Sequence, residues 1–153
     1  MKIRGFEKVV EQFLPEGIIN LPKRATRLSA GYDFFAPEDI KLAPGESTKV
    51  ATGIKAYMQP DEVLMLFPRS GLGFKYFVRL ANTVGVVDAD YYGNESNDGH
   101  IFVKIRNEGD NELFIPAGDA FAQGIFIKYL LTDDDSFDNG AERIGGEGST
   151  TGK

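Results

Sequence analysis

Cysteine is absent from the 153 residues. Its absence excludes a disulfide scaffold, a thiol nucleophile and any Cys-ligated zinc or iron–sulfur site. Histidine occurs once, at His100, which rules out a multi-histidine metal centre within one chain. No Ser-His-Asp arrangement surrounds it, so a catalytic triad is not expected. Long apolar runs are also missing: none approaches the ~20 residues of a membrane-spanning helix. The start, Met1-Lys2-Ile3-Arg4-Gly5, runs into charges rather than an apolar stretch. No signal peptide is therefore expected, and the expected location is cytoplasmic. Basic charge is in short supply, with 17 Lys and Arg against 23 Asp and Glu, net −6. Nonspecific nucleic-acid binding needs a basic footprint, so neither nucleic acid nor a membrane is an expected partner. An anionic ligand has to be met locally, by placed arginines, backbone N–H groups or a bound cation.

What is present is the composition of an ordinary globular chain, 42% hydrophobic and 26% charged. The length suits one domain with a core of its own. Eighteen glycines and seven prolines punctuate short runs rich in Val, Ile, Phe and Tyr. Residues 49–58 read as a strand bent at Gly53. Residues 63–67 read as a buried strand. From His100 to Arg106 the alternation is clean, with Ile101, Val103 and Ile105 on one face, and residues 120–129 read as another strand. Short strands at roughly ten-residue spacing with turns between them indicate an all-β sandwich or barrel. Helix signals are weak; residues 71–77 can hold one or two turns, with Ser70 as an N-cap. The Asp-rich stretch 132–140 reads as a solvated connection. The run 145–153 is too Gly-rich to hold one conformation alone.

Five segments carry residues suited to chemistry. In Ala30-Gly31-Tyr32-Asp33 a glycine turn delivers an aromatic and a carboxylate into a strand; a plain surface turn fits the same residues. Pro68-Arg69-Ser70-Gly71-Leu72-Gly73 places an arginine, a hydroxyl and free N–H groups at a strand-to-helix junction, which suits a phosphate. It departs from the Walker pattern, and a capped helix with a solvated arginine fits it too. From Asn82 to Gly93 an apolar strand ends in Asp88-Ala89-Asp90-Tyr91. This reads as a hairpin tip whose carboxylates either act as a general base or satisfy turn backbone. In Gly118-Asp119-Ala120-Phe121-Ala122-Gln123 small residues flank a phenylalanine and a lone polar residue follows. Finally, Arg143 stands beside a Gly/Ser/Thr run whose N–H groups can close over phosphates.

In their order and spacing these five segments resemble the motifs of the trimeric dUTP pyrophosphatase (dUTPase) family, over nearly the whole chain. Residues 82–93 and 68–71 carry the resemblance most specifically. Residues 91–100 resemble the longer form found in Gram-positive bacteria and their phages. The resemblance implies a distorted β jelly-roll (β-clip) barrel with at most one short helix, assembled as a homotrimer with shared active sites. Residues 1–140 would form the domain and residues 141–153 a Gly-rich lid arm. The implied reaction is hydrolysis of dUTP to dUMP and diphosphate, with Mg2+ as cofactor.

On this resemblance Asp88 is the general base that orients the attacking water. Arg69 contacts the phosphates, and Gln123 sits near the α-phosphate. Ser70 and Gly71 donate to the β-phosphate side. Asn82 and Gly85 belong to the uracil pocket, and Tyr91 packs on the deoxyribose. Arg143 reaches the γ-phosphate from a neighbouring subunit, with Gly146, Gly148 and Ser149 in the lid. Asp33 acts on the magnesium ion through its water shell. One position departs from the family: Glu147 stands where an aromatic usually stacks on uracil. Base–aromatic stacking is worth roughly 1–3 kcal/mol, so a raised KM is expected, and Glu147→Phe is expected to lower it. Two rivals remain: a dCTP deaminase of the same fold, and a dUTP-binding regulatory protein with weakened hydrolysis. The short connection from Lys128 to Glu142 leaves no room for a dedicated partner-binding domain.

Overall fold

The computed structural model describes residues 1–135, 140 and 142–146. Among these the strands are β1 (Gly5–Lys8), β2 (Lys23–Arg24), β3 (Tyr32–Phe35), β4 (Ile40–Leu42), β5 (Ser47–Ala51), β6 (Ile54–Tyr57) and β7 (Glu62–Pro68). After the single α-helix, α1 (Ser70–Tyr76), come β8 (Val78–Leu80), β9 (Gly85–Asp88), β10 (Phe102–Asn107), β11 (Leu113–Ile115) and β12 (Ala120–Lys128). Two 3-10 turns, Glu11–Phe13 and Ala89–Tyr91, complete the described elements. The strand pairs recorded are antiparallel. They form a five-stranded sheet, β2-β3-β12-β7-β9, a three-stranded sheet, β5-β10-β8, and two ribbons, β1-β6 and β11-β4. This is the expected all-β jelly roll, with one short helix among the described residues.

Alternation explains the layers. Val103, Ile105 and Asn107 of β10 point inward, while Lys104 and Arg106 face out. Inward residues of the two larger sheets meet in one core, with Phe34, Phe121, Leu64, Ile101, Ile105 and Val78 almost wholly buried. Asn107 is buried without penalty because its amide is fully used. Nδ2 donates to the Leu42 and Asn111 carbonyls at 3.0 and 2.8 Å, and Oδ1 accepts from Gly109 N–H at 2.9 Å.

Three local expectations change. Residues 49–58 are two strands in different sheets rather than one bent strand, since Gly53 (φ +75°) turns the chain from β5 to β6. Ser70 is the first helical residue and Arg69 occupies the N-cap position, with no side-chain cap bond. The carboxylates at 88–90 are not at a hairpin tip either: β9 before them pairs with β7, whereas β10 after them pairs with β5 and β8. Thr83, at φ 68°, sits at the corner where the chain changes sheets.

Candidate active site

The sequence-predicted residues fall into two groups on the five-stranded sheet. The first is set by ladder register. Gln123 on β12 stands opposite Asp33 on β3 and opposite Phe67 on β7, so these three side chains share one face. A bulge between Ala120 and Ala122 leaves Phe121 unpaired in the register; Phe121 fills the core and Gln123 emerges outward. Gln123 Nε2 donates to the Pro68 carbonyl at 3.0 Å. One residue past β7, Arg69 Nε lies 3.1 Å from Asp33 Oδ1, and Ser70 and Gly71 open the exposed start of α1. The group thus places a cation, a hydroxyl, an amide and a carboxylate around one strand end. Gly31, expected as a turn glycine, also makes room for this group: a Cβ there would stand 2.1 Å from Gln123 Oε1.

The second group surrounds a pocket of about 250 Å³ lined by Asn82, Gly85, Asp88 and Tyr91, with Leu66 and Phe102 among its apolar walls. Gly85 permits close approach to β7, since a Cβ would meet Leu66 Cβ at 2.9 Å. Asp88 ends β9, is exposed, and leads into the turn that carries Tyr91. Arg143 and Gly146 close the pocket from the C-terminal side. The guanidinium donates to Asp88 Oδ2 at 2.5 Å and to Asp90 Oδ1 at 2.7 Å, and also to the Gly145 carbonyl. It lies 5.8 Å from the Tyr91 ring centre. Gly146 rests so close to that ring that a Cβ would be 2.7 Å from Cε1. Thus Arg143 meets the third motif of its own chain. Glu147, Gly148 and Ser149 lie outside the described residues.

A loop supports Tyr91 from behind. His100, almost fully buried, accepts the Gly53 N–H on Nε2 at 2.8 Å. Burial, its largest influence, pushes the imidazole below its ordinary range; Lys49 adds to this and Asp98 opposes it. Tyr92 donates to Glu7 at 2.5 Å, and this bond, with burial, raises its hydroxyl to about 12. His100 was legible as the single histidine, but its supporting role was not.

The two groups do not meet within one chain. Asp88 is in register with Val63, whereas Gln123 is in register with Phe67. Both side chains face outward, yet four residues along β7 and two strand spacings separate them, about 16 Å. Between them the same face carries Val63, Met65, Val86, Ile125 and Ile127; Val86 is 59% exposed and Ile127 38%.

A profile of the dUTPase family matches residues 18–151. Over 150 residues the chain is 49% identical to the deoxyuridine 5'-triphosphate nucleotidohydrolase of Lactococcus lactis subsp. lactis, spanning 98% of this chain and 99% of that one. The protein of the same name from Shigella sonnei is 37% identical over 137 residues, 84% of this chain and 87% of its own. Among solved structures, the dUTPase of Streptococcus mutans aligns with a TM-score of 0.71 at 43% identity, over 84% of this chain and 98% of that chain. The dUTPase from phage phi11 of S. aureus shares the fold, with a TM-score of 0.69 at 19% identity over 90% of this chain and 97% of its own.

Proposed function

The chain belongs to the dUTPase family, and from that membership we propose that it hydrolyses dUTP to dUMP and diphosphate at sites shared between copies, in a homotrimer. The observation that carries the sharing is the separation of about 16 Å between Asp88 and Gln123 on one outward face. One α-phosphate cannot touch both in a single chain. The apolar surface between them suits cover by another copy. In this reading one copy offers Asn82, Gly85, Asp88 and Tyr91 to the nucleoside. A neighbour offers Asp33, Arg69, Ser70, Gly71 and Gln123 to the phosphates.

Asp88 then holds a water in line with the α-phosphorus and takes one of its protons. The water oxygen bonds to that phosphorus as the bond to the α–β bridging oxygen breaks, and diphosphate leaves with the electron pair. An aspartate is a weak base, so most of the rate must come from positioning and from charges set on the phosphates. Gln123 orients the α-phosphate and the water. Arg69, Ser70 and the Gly71 N–H hold the β-phosphate side. Arg143 is paired with Asp88 and Asp90; the γ-phosphate competes for this guanidinium, and drawing it off Asp88 frees Oδ2 for the water. Gly146, Gly148 and Ser149 belong to the arm that closes with it. Fixed backbone groups and the Asn82 amide select uracil over cytosine by leaving the wrong base's partners unpaired.

Magnesium fits this donor set. Among the described residues no three acidic or histidine side chains form a cage, while Asp33 supplies a carboxylate beside Arg69. That suits an ion carried mainly by phosphate oxygens and water, with Asp33 acting through the water shell. When bound, the ion neutralises charge on the triphosphate. We place the reaction in the cytoplasm, and no helix among the described residues is long and apolar enough to cross a membrane.

The test is diphosphate release from dUTP, dCTP, dTTP and UTP, each with magnesium and with chelator. Magnesium-dependent turnover of dUTP alone is expected. Ammonia release from dCTP would replace this reading with the deaminase, and tight dUTP binding without turnover would replace it with the regulatory protein.

A further inference from the structure

Discrimination against ribose asks a side chain to occupy the space of one hydroxyl group, so the side chain must be held to within about 0.5 Å. Tyr91 rides on a 3-10 turn, is half-buried and packs against the core, and its far end carries a hydroxyl that can be fixed by directed bonds. Two hydrogen bonds hold the hydroxyl. The hydroxyl donates to the His100 carbonyl, and it accepts from Asn97 Nδ2 at 2.9 Å.

The Asn97 amide is itself held in orientation. Its Oδ1 accepts from Asn94 Nδ2 at 2.8 Å and from the Gly99 N–H at 3.1 Å, which leaves Nδ2 for the phenol. Asn94 is buried and folds the loop on itself: Oδ1 accepts from the Ser96 and Asn97 N–H groups, and Nδ2 also donates to the Tyr91 carbonyl. The loop is in turn fastened to the rest of the fold. Asp98 Oδ2 accepts from the Val10 N–H at 2.9 Å and pairs with Lys55 at 2.8 Å, and His100 takes the Gly53 N–H. Such a chain of satisfied polar groups is stiff because releasing one member leaves others unpaired. Asp88 takes no part in it.

We propose that Asn97 is a positioning residue for sugar selection: through the Tyr91 hydroxyl it sets the ring that excludes a ribose 2'-hydroxyl. This rests on the proposed function, with Tyr91 packing on the deoxyribose of the nucleoside as the family resemblance implies. Asn97→Asp keeps an acceptor for Asn94 and Gly99 and removes the donor to the phenol. Tyr91→Phe removes the phenol oxygen, and with it one partner each of Asn97 Nδ2 and the His100 carbonyl, and keeps the Asn97 Oδ1 bonds to Asn94 and Gly99.

The experiment measures binding of dUDP and UDP by calorimetry, and turnover of dUTP and UTP, for wild type, each variant and the double variant, with Tm recorded throughout. Loss of one such hydrogen bond is worth roughly tenfold, so the dUDP/UDP affinity ratio is expected to fall about tenfold in each single variant. In the Tyr91→Phe background Asn97→Asp is expected to change it no further, because the two act as a unit. An unchanged ratio in Asn97→Asp with a lowered Tm would reduce Asn97 to a loop-building residue and overturn the proposal. So would equal losses with and without the phenol. A wild type that prefers dUDP yet fails to turn over dUTP would sink the hydrolytic reading, while the binding ratios would still decide the role of Asn97. A wild type with no preference for dUDP overturns the assignment to sugar selection.

Discussion

Asp33 and Gln123 stand side by side on bonded strands, with Arg69 at the end of the next one; Asp88 and Tyr91 ride instead on a strand end and a turn braced by side-chain amides. Register places the first set, because neighbouring strands share a ladder and lateral shifts would break many bonds at once. The second set is placed by a few specific polar contacts, and its walls come from residues distant in sequence. The phosphate side is therefore expected to tolerate loop changes. The nucleoside side is expected to be sensitive to single amides and to the C-terminal arm.

The sharpest way to break this division is to ask whether one chain holds a whole site. Asp88→Asn and Arg69→Ala are each expected to lower kcat, by roughly 10²–10⁴-fold for the base. Unfolded and refolded together, the two inactive proteins are expected to regain part of the activity, because some sites then combine an intact half from each. No recovery on mixing would mean that each chain works alone.

The same small change applied to both sides sharpens the contrast. Gly31→Ala drives a Cβ into Gln123, so kcat is expected to fall, by up to about a hundredfold for a 1 Å displacement, with KM little altered. Gly146→Ala pushes the arm off the Tyr91 ring, so KM is expected to rise more than kcat falls. Steady-state kinetics of the pair would expose any exchange of these signatures. Next comes Arg143→Ala, which removes charge-assisted bonds to Asp88 and Asp90. A loss in kcat/KM of roughly 10–100-fold is expected, with Tm little changed. A gain in activity would mean the guanidinium acts chiefly as a brake on Asp88.

The smallest expected effect is on acid stability. His100 is held below its ordinary range by burial, with Lys49 lowering it further and Asp98 opposing. The unfolded chain therefore takes up a proton near pH ~6.5 while the folded one does not. The stabilisation is complete above that pH and is lost as pH falls through the lower folded value. Glu62 follows lower down: the Arg4 bonds, with the Gln59 N–H, hold its carboxyl below the ordinary range. Tm against pH for wild type and His100→Gln tests the first step, which should be absent in the variant. If the step persists, another group is responsible.

Much of this was legible in the residues. The alternation from Ile101 to Ile105 marked a half-buried strand. The five segments, in order, pointed to the family and named both groups of the site. The bulge at Phe121 left only a hint in its flanking alanines, because a bulge depends on the partner strand. The change of sheet at Thr83 was hidden for the same reason: alternation tells which face a residue takes, not which strand lies beside it. The clamp at Asn97 had no signal, since asparagines in a Gly-containing stretch read as turn formers whether or not one reaches a phenol.

By itself the sequence determined that this is a cysteine-free, acidic, all-β chain with phosphate-handling and carboxylate motifs in dUTPase order. Those properties are local, carried by composition, strand period and short motifs. Only the tertiary structure decided that Gln123 and Asp88 lie about 16 Å apart on one outward face, and that Tyr91 is held by an amide six residues on. Such distances follow from pairings such as β12 with β7, whose strands lie far apart in sequence, and that register is settled by the packing of the whole core.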